Sequence, residues 1–166
     1  MQLRELDPER LGDHLDRLYR AAFALCGSRE DAEDLTQETY ARVLSRPRLL
    51  RSEDDLGYLL RVLRNTFLNQ KRAESRRART APTPEEIEFP ETSTWSSPEA
   101  SFEARQVYET ISLLPAEFRE ALAAVDVAGL SYREASKALG VPEGTIMSRL
   151  FRARQQVVRR LDAGTA

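Results

Sequence analysis

The sequence has very little of what catalysis and metal binding usually require. It contains one cysteine, Cys26, and one histidine, His14, in 166 residues. A single cysteine excludes an internal disulfide, and no HExxH, P-loop or CxxC pattern occurs. We therefore expect no enzyme activity, no catalytic residues, no metal site and no cofactor. Cys26 lies among apolar residues and is predicted to be a small buried side chain.

Long hydrophobic runs are also missing. Wholly apolar runs, such as residues 121–125, are no longer than six residues, whereas a membrane-spanning helix needs about 20 apolar residues. The first residues, MQLRELDPER, carry charges but no apolar core of the kind that a signal peptide has. We expect no membrane insertion and a cytoplasmic location.

Basic residues are absent from one long stretch of the chain. Residues 80–98, TAPTPEEIEFPETSTWSSP, hold four prolines and seven Ser or Thr residues, and no helical or strand period is present there. This composition is typical of a linker. The predicted organisation is a first domain at 1–79, an acidic linker at 80–98 and a second domain at 99–166.

Alternating strand patterns and hairpin dipeptides are absent as well, which favours an all-α fold of two small helical domains joined by a flexible linker. The first domain is predicted to hold helices at 8–26, 29–45 and 55–78, the first two separated at Gly27 and Ser28. The predicted buried faces are Leu11, Leu15, Leu18, Ala22 and Leu25 on the first helix, and Ala32, Leu35, Thr39, Val43 and Leu44 on the second.

Four helices are predicted in the second domain. They run from an N-cap at Ser97 and Pro98 to about Leu114, from 116 to 127, from Ser131 to Gly140, and from Pro142 onward. Ser131 and Glu134 have the spacing of a capping box. Gly129 and Gly140 suit helix ends. Two helices joined by a tight glycine turn are typical of a helix-turn-helix, with Ala135, Ala138 and Leu139 holding the second helix against the core.

Charge is distributed unevenly along these helices. Residues 56–79 have seven basic and one acidic residue, and no Asp or Glu occurs between 144 and 161. The last helix has one apolar stripe, and its arginines lie off that stripe. The stripe is Ile146, Leu150, Ala153, Val157 and Leu161, and the arginines are Arg149, Arg152, Arg154, Arg159 and Arg160. Two cationic helices, the last of them without an Asp or Glu between 144 and 161, predict binding to a polyanion.

The residues of the last three helices resemble a known family. Residues 113–161, through GLSYRE, LGVPEGT and SRLFRAR, resemble region 4 of an extracytoplasmic-function (group IV) sigma factor of the sigma-70 family. By itself this half is also similar to the DNA-binding domain of response-regulator activators. DAEDLTQETYARVL, residues 31–44, resembles region 2.2 of the same sigma family, and GYLLRVLRNTFLNQKR, residues 57–72, resembles regions 2.3 and 2.4. These motifs occur in the family's order and cover nearly the whole chain.

The resemblance implies a subunit that binds bacterial RNA polymerase core through the largest-subunit clamp helices and the flap, recognises promoter DNA and opens it. It also implies an anti-sigma factor as partner. The match to the family's D-x-x-Q-E pattern makes Asp34, Gln37 and Glu38 the expected polymerase-binding residues. These three residues share one helix face because they are three and four positions apart.

The same resemblance assigns minus-ten recognition and melting to the helix at 57–72, where basic, amide and aromatic side chains suit phosphates and unpaired bases. The loop at 45–56 is then expected to capture a flipped base. Phe67 could stack on a base or belong to the core. The expected minus-ten residues are Tyr58, Arg61, Arg64, Asn65, Asn69, Lys71 and Arg72.

Minus-thirty-five recognition is implied for the last helix. The family's base-reading positions correspond to Met147, Ser148, Phe151 and Arg152, with Arg149 and Arg154 meeting phosphates or polymerase. Met147 stands where the family commonly has a basic residue, which indicates an altered base preference. Tyr58 replaces a frequent tryptophan. The linker could imitate RNA in the polymerase channel or serve as an inert tether.

A helix-turn-helix regulator that does not replace sigma is the alternative interpretation. It would explain the cationic last helix. It would leave the block at 31–72 without a function, and the chain has no long coiled-coil pattern for dimerisation.

Overall fold

The structure is a computed structural model that describes residues 3–46, 49–50, 54–80 and 102–164. Within these ranges the chain forms eight α-helices and one pair of two-residue strands. The helices are α1 (Pro8–Leu11), α2 (Leu15–Cys26), α3 (Arg29–Ser45), α4 (Asp55–Thr80), α5 (Phe102–Ser112), α6 (Ala116–Leu122), α7 (Tyr132–Leu139) and α8 (Glu143–Gly164). The predicted helical fold class is confirmed.

The first predicted helix is divided. A 3-10 turn at Gly12–His14 separates α1 from α2. Glycine is a poor helix former because it has more backbone freedom to lose. α1 begins at Asp7, whose side chain accepts a hydrogen bond from the Glu9 backbone N–H at 3.0 Å.

A short strand pair was not predicted. β1 (Arg4–Glu5) pairs antiparallel with β2 (Leu49–Leu50). Arg4 also forms an ion pair with the buried carboxylate of Asp55, the first residue of α4. The N-terminal segment therefore packs against the segment between α3 and α4. Strands of two residues are too short to show a periodic pattern in the sequence, so this pairing could not be predicted.

The predicted buried faces are largely correct. Leu15 is half-buried, and Leu44 was wrongly placed in the core because its side chain is 53% exposed. Val43 is buried as predicted, and Leu44 cannot face the same core because successive helical residues point about 100° apart. The remaining predicted positions are buried, namely Leu11, Leu18, Ala22, Leu25, Ala32, Leu35 and Thr39.

The predicted turns and caps that fall within the described residues are confirmed. Gly27 and Gly140 adopt left-handed backbone conformations with φ of 77° and 68°. Ser28 caps α3, and Ser131 with Glu134 forms the capping box of α7. The predicted helix at 116–127 changes after Leu122 into a π-helical turn at Ala123–Val127. The predicted N-cap at Ser97 and residues 81–98 of the predicted linker lie outside the described residues, while Thr80 is the last residue of α4.

Gly27 lies where the two halves of the chain, 3–80 and 102–164, approach each other. A β-carbon at Gly27 would lie 2.4 Å from the Ser112 Oγ of α5, in addition to the strain of its positive φ. We expect Gly27→Ala to lower the free energy of unfolding by about 1–3 kcal/mol. Urea denaturation followed by circular dichroism measures this change.

Gly12→Ala is the matched control. Gly12 has a helical φ of -62°, and a β-carbon added there would meet no heavy atom within 4 Å. We expect this substitution to be neutral or to stabilise by about 0.4–1 kcal/mol. Equal stabilities of the two variants would contradict the close approach of α2 and α5.

The two halves pack along one apolar core. α2 contacts α5 and the π-helical turn, and α4 contacts α7. The Phe23 and Tyr108 rings meet edge to face with their centroids 5.2 Å apart. Buried side chains of both halves, such as Leu63 and Leu122, belong to this core. The fold therefore brings the two cationic helices, α4 and α8, onto one body.

Candidate polymerase and nucleic-acid interfaces

One polar patch lies on α3. Asp34 and Gln37 are exposed, and Glu38 is partly exposed. The Glu38 carboxylate accepts a hydrogen bond from Arg42 Nε at 2.8 Å. Leu35, between them in sequence, is fully buried and holds α3 against the core. The three residues are therefore together on the surface, as the sequence predicts.

An apolar groove of about 440 Å³ adjoins this patch. Gln37 and Leu44 of α3 line it on one side, and Leu11 and Leu15 line it on the other. Sequence reasoning missed this groove because it assigned Leu44 to the core. A contiguous apolar surface rimmed by polar residues is a feature that protein-binding surfaces often have.

α4 exposes a continuous polar face. Arg61, Asn65, Asn69 and Arg72 recur at intervals of four, four and three residues and are all exposed. Arg76 and Arg79 continue this face, and the second half of it lines a groove of about 500 Å³. Sequence reasoning ended the face at Arg72, although the same spacing extends it to Arg79. The result is an amide-rich segment followed by an arginine-rich segment.

Phe67 belongs to the core rather than to this face. Its side chain is 2% exposed. The Lys71 ammonium and the Arg119 guanidinium lie 5.6 and 5.4 Å from its ring centroid, within cation–π distance. Tyr58 is half-buried. Neither the Phe67 ring nor the Tyr58 ring is fully exposed to solvent.

Two predicted DNA-binding arginines of α4 contact the second half of the chain. Arg61 Nη2 donates to the backbone carbonyl of Lys137 in α7 at 2.6 Å. Arg64 Nε donates to Glu120 Oε2 of α6 at 2.8 Å. Lys71 instead pairs with Glu74 on α4 itself at 3.2 Å.

α8 buries most of its apolar stripe and exposes the residues that are predicted to contact bases. Ile146, Leu150 and Ala153 are buried, while Val157 and Leu161 are half-buried. On the surface lie Met147, Ser148, Phe151 and Arg152. Met147 and Phe151 are 54% and 64% exposed, which is unusual for large apolar side chains and suits contact with an apolar base edge.

Two arginines of α8 have acidic partners that come from outside the helix. Arg149 pairs with Glu117 of α6 at 3.5 Å. Arg154 makes a bidentate pair with Asp126 of the π-helical turn, with nitrogen-to-oxygen distances of 2.9 and 2.7 Å. These hydrogen bonds raise the pKa of Arg154 above its usual range. The partners of these two arginines therefore come from other elements of the fold, which the absence of Asp and Glu between 144 and 161 does not exclude.

Among the described residues, no three His, Cys, Asp or Glu side chains are grouped as metal ligands. Burial raises the pKa of the Cys26 thiol to about 12, so it remains protonated at neutral pH. No helix in the described ranges is long and apolar enough to cross a bilayer.

Comparison with known protein families matches both halves of the chain. The family described as sigma-70 region 2 matches residues 11–77, and that described as sigma-70, region 4 matches residues 104–157. The ECF RNA polymerase sigma factor EcfG of Rhodopseudomonas palustris is 31% identical over 138 residues, which cover 82% of this chain and 74% of EcfG. The chain belongs to the extracytoplasmic-function sigma factors.

Other ECF sigma factors are similar over most of the chain. The ECF RNA polymerase sigma factor SigE of Mycolicibacterium smegmatis is 36% identical over 152 residues, or 90% of this chain. The chain spans only 59% of the length of that SigE. The resemblance stated from the sequence motifs is confirmed.

Two solved structures share the fold. The sigma factor RpoE, in complex with the anti-sigma factor NepR from Bartonella quintana, superimposes with a TM-score of 0.72 at 26% identity. The match covers 93% of this ECF sigma factor and 95% of RpoE. CnrH, in complex with the cytosolic domain of CnrY, has a TM-score of 0.59 at 20% identity, covering 93% and 86% of the two chains.

Proposed function

We propose that this ECF sigma factor binds bacterial RNA polymerase core, brings it to specific promoters and assists in opening them. One observation carries the proposal: a single chain has exposed faces suited to nucleic-acid binding on two helices, one in region 2 and one in region 4. These are the amide- and arginine-rich face of α4 and the exposed face of α8. Because polymerase carries out the bond-forming chemistry, this chain acts as a non-enzymatic subunit. The proposed location is the cytoplasm.

The proposed division of work follows the predicted organisation. Residues 1–79 bind core and the minus-ten element, residues 99–166 bind the minus-thirty-five element, and residues 80–98 connect them. The α3 patch and the adjoining apolar groove support docking on the clamp helices of the largest subunit. An acidic patch beside apolar surface combines electrostatic steering with burial of apolar area. The polymerase flap is the expected contact of the second domain.

Minus-ten recognition is assigned to α4. Asn65 and Asn69 are exposed and can hydrogen-bond to the edges of unpaired bases, while Arg72 can contact phosphate. Tyr58, Arg61, Arg64 and Lys71 complete the proposed set. The base-capturing loop at 45–56 and the role of the linker fall wholly or partly outside the described residues.

Minus-thirty-five recognition is assigned to α8. Arg152 is exposed and makes no ion pair within the described part of the chain, so its guanidinium can reach a guanine. Met147 and Phe151 can contact thymine methyl groups, and Ser148 can hydrogen-bond to a base or phosphate. Arg149 and Arg154, which have acidic partners, are proposed to meet phosphates at the edge of this face.

An anti-sigma factor is the proposed regulatory partner. The similar sigma factor RpoE is found in complex with the anti-sigma factor NepR, and CnrH, which shares the fold, is found in complex with the cytosolic domain of CnrY. Their folds match this chain across both halves.

Run-off transcription tests the proposed function. Purified bacterial core polymerase is assayed with and without the full chain on promoter fragments from the source genome. We expect initiation at discrete sites only when the protein is present, and alignment of those sites identifies both promoter elements. If core polymerase does not initiate although the protein binds specific DNA sequences, the helix-turn-helix regulator is the better interpretation. The match of residues 11–77 to sigma-70 region 2 speaks against that alternative.

A further inference from the structure

Two large apolar side chains lie on the outer face of α8. Met147 is 54% exposed and Phe151 is 64% exposed, whereas Ile146 and Leu150, their neighbours in the sequence, are buried. Residues four positions apart lie next to each other on a helix, with β-carbons about 5–6 Å apart. The two side chains therefore form one apolar surface, the Met147–Phe151 pair, which the described part of the chain leaves largely exposed.

The surroundings of this pair are cationic. Arg152 and Ser148 are exposed beside it, and no Asp or Glu occurs between 144 and 161. A surface that combines apolar and cationic groups suits a partner that offers apolar groups within a field of negative charge. The major groove of DNA offers this combination, because phosphates flank the groove and thymine places a methyl group in it.

The chemistry of the two side chains limits what they can recognise on a base. Neither Met147 nor Phe151 has a hydrogen-bond donor, so the pair cannot read the acceptors of a base edge. In the major groove, the C5-methyl group of thymine is the apolar feature that distinguishes this base from cytosine and from the purines. Contact with that methyl group removes apolar surface of both partners from water. The methyl group is therefore the base feature to which the pair is complementary.

The spacing of the pair matches neighbouring base steps. A helix rises about 1.5 Å per residue, so Met147 and Phe151 are separated by about 6 Å along α8. Base pairs of B-DNA are stacked about 3.4 Å apart. When α8 lies along the groove, the two side chains therefore face methyl groups that are one or two base pairs apart.

We propose that the Met147–Phe151 pair recognises C5-methyl groups in the minus-thirty-five element, so that 5-methylcytosine is bound in place of thymine at the contacted positions. This proposal rests on the proposed function of α8. Methylation of cytosine at C5 puts the same methyl group at the same place in the major groove. The affinity of this sigma factor for a site then depends on whether the cytosines of that site are methylated.

Single methyl groups on DNA are the probe. Duplexes are first selected from a random-sequence library by the full chain, alone and bound to core polymerase. At each thymine of the selected minus-thirty-five element, the affinities of four duplexes are then measured by fluorescence anisotropy. They carry thymine or uracil opposite adenine, and cytosine or 5-methylcytosine opposite guanine. The two members of each set differ by one methyl group, so each affinity ratio isolates its contribution.

The methyl group is expected to matter at one or two positions. We expect uracil to bind about 3- to 10-fold more weakly than thymine there, which is the size of effect that one buried methyl group has. We expect 5-methylcytosine to bind more tightly than cytosine by a similar factor at the same positions. Equal affinities for thymine and uracil at every position of a specifically bound duplex would overturn the proposal.

Met147→Ala and Phe151→Ala show whether these side chains sense the methyl group. We expect each variant to lower the thymine-to-uracil affinity ratio to about 1 at its own position and to preserve the ratio at the other. Both side chains are exposed, so we expect the helical circular dichroism spectrum to be retained. Ratios that stay unchanged in both variants would assign the methyl effect to DNA shape and overturn the role of the pair.

Val158→Ala is the matched control on the same helix. Val158 is also a large exposed apolar residue, with 57% of its surface exposed. It lies about 10 Å beyond Phe151 along α8, away from the N-terminal part of the helix that contacts base edges. We expect Val158→Ala to keep the thymine-to-uracil ratio of the unsubstituted protein. The same loss of the ratio in this variant would contradict a specific role of the pair.

A protein contact is the other occupant that the experiment can reveal. If Met147→Ala and Phe151→Ala weaken binding to core polymerase but leave every DNA affinity unchanged, the pair binds protein and the proposal is wrong. The affinity ratios do not depend on transcription. A chain that distinguishes thymine from uracil but supports no run-off initiation would retain this inference and lose the proposed sigma activity. Initiation at discrete promoters with equal affinities for thymine and uracil would give the opposite result.

Discussion

Replacing Asp34 and Glu38 together by lysine is expected to abolish binding to RNA polymerase core. Both side chains lie on the exposed face of α3, so the substitutions reverse the charge that this face presents to basic clamp helices. Juxtaposed like charges cost several kcal/mol at an interface, so we expect a loss of at least about 100-fold in affinity. Co-purification with core and fluorescence anisotropy of the labelled protein measure the change.

Glu103→Lys with Glu109→Lys is the matched control. These two residues are exposed acids on α5, so the variant changes the net charge by the same amount at a different surface. We expect it to retain core binding. Both variants should keep the helical circular dichroism spectrum, because Glu38 contributes only an exposed pair with Arg42 to α3. Undiminished binding by the Asp34 and Glu38 variant would refute the assignment of this patch.

Arg152→Ala is expected to weaken binding to the minus-thirty-five duplex by about 10- to 100-fold. Arg152 is exposed on α8 beside Met147, Ser148 and Phe151. Loss of one bidentate contact with guanine costs about 1–3 kcal/mol of discrimination. Binding to the mapped promoter duplex and to a scrambled duplex of equal length should be measured at one salt concentration, because phosphate contacts depend strongly on salt.

Arg154→Ala provides the contrast on the same helix. Its guanidinium is held by two hydrogen bonds to Asp126. We therefore expect Arg154→Ala to act on the position of α8 and to reduce binding to both duplexes by similar factors. If Arg152→Ala also reduces both equally, Arg152 is a phosphate contact and the base-reading role is wrong.

Features that depend on neighbouring residues were predictable from the sequence. The capping box at Ser131 and Glu134 needs only the spacing of a short polar side chain and an acid around the start of a helix. The left-handed ends at Gly27 and Gly140 follow from the lack of a β-carbon. The buried stripe at Ile146, Leu150 and Ala153 follows from helical periodicity, and the exposed face of α8 is its complement.

Features that depend on distant residues were not predictable. Leu44 continues the apolar pattern of α3, yet the structure leaves it exposed at a groove because Val43 takes the core position. Arg149 and Arg154 have no acid three or four positions away on α8, and sequence spacing alone could not show that Glu117 and Asp126 pair with them. The division of the first helix and the pairing of β1 with β2 also depend on contacts between separate segments.

The sequence by itself determined the helices, their caps, their apolar stripes and the family, because each depends on residues within a few turns of one another or on motifs read in order. Only the tertiary structure decided which charges are available for binding. Arg61 and Arg64 have no partner that local spacing could reveal, and their contacts with Lys137 and Glu120 cross 76 and 56 positions of the chain. An ion pair requires two charges within a few ångströms, and across such separations only packing of the two halves determines whether they meet.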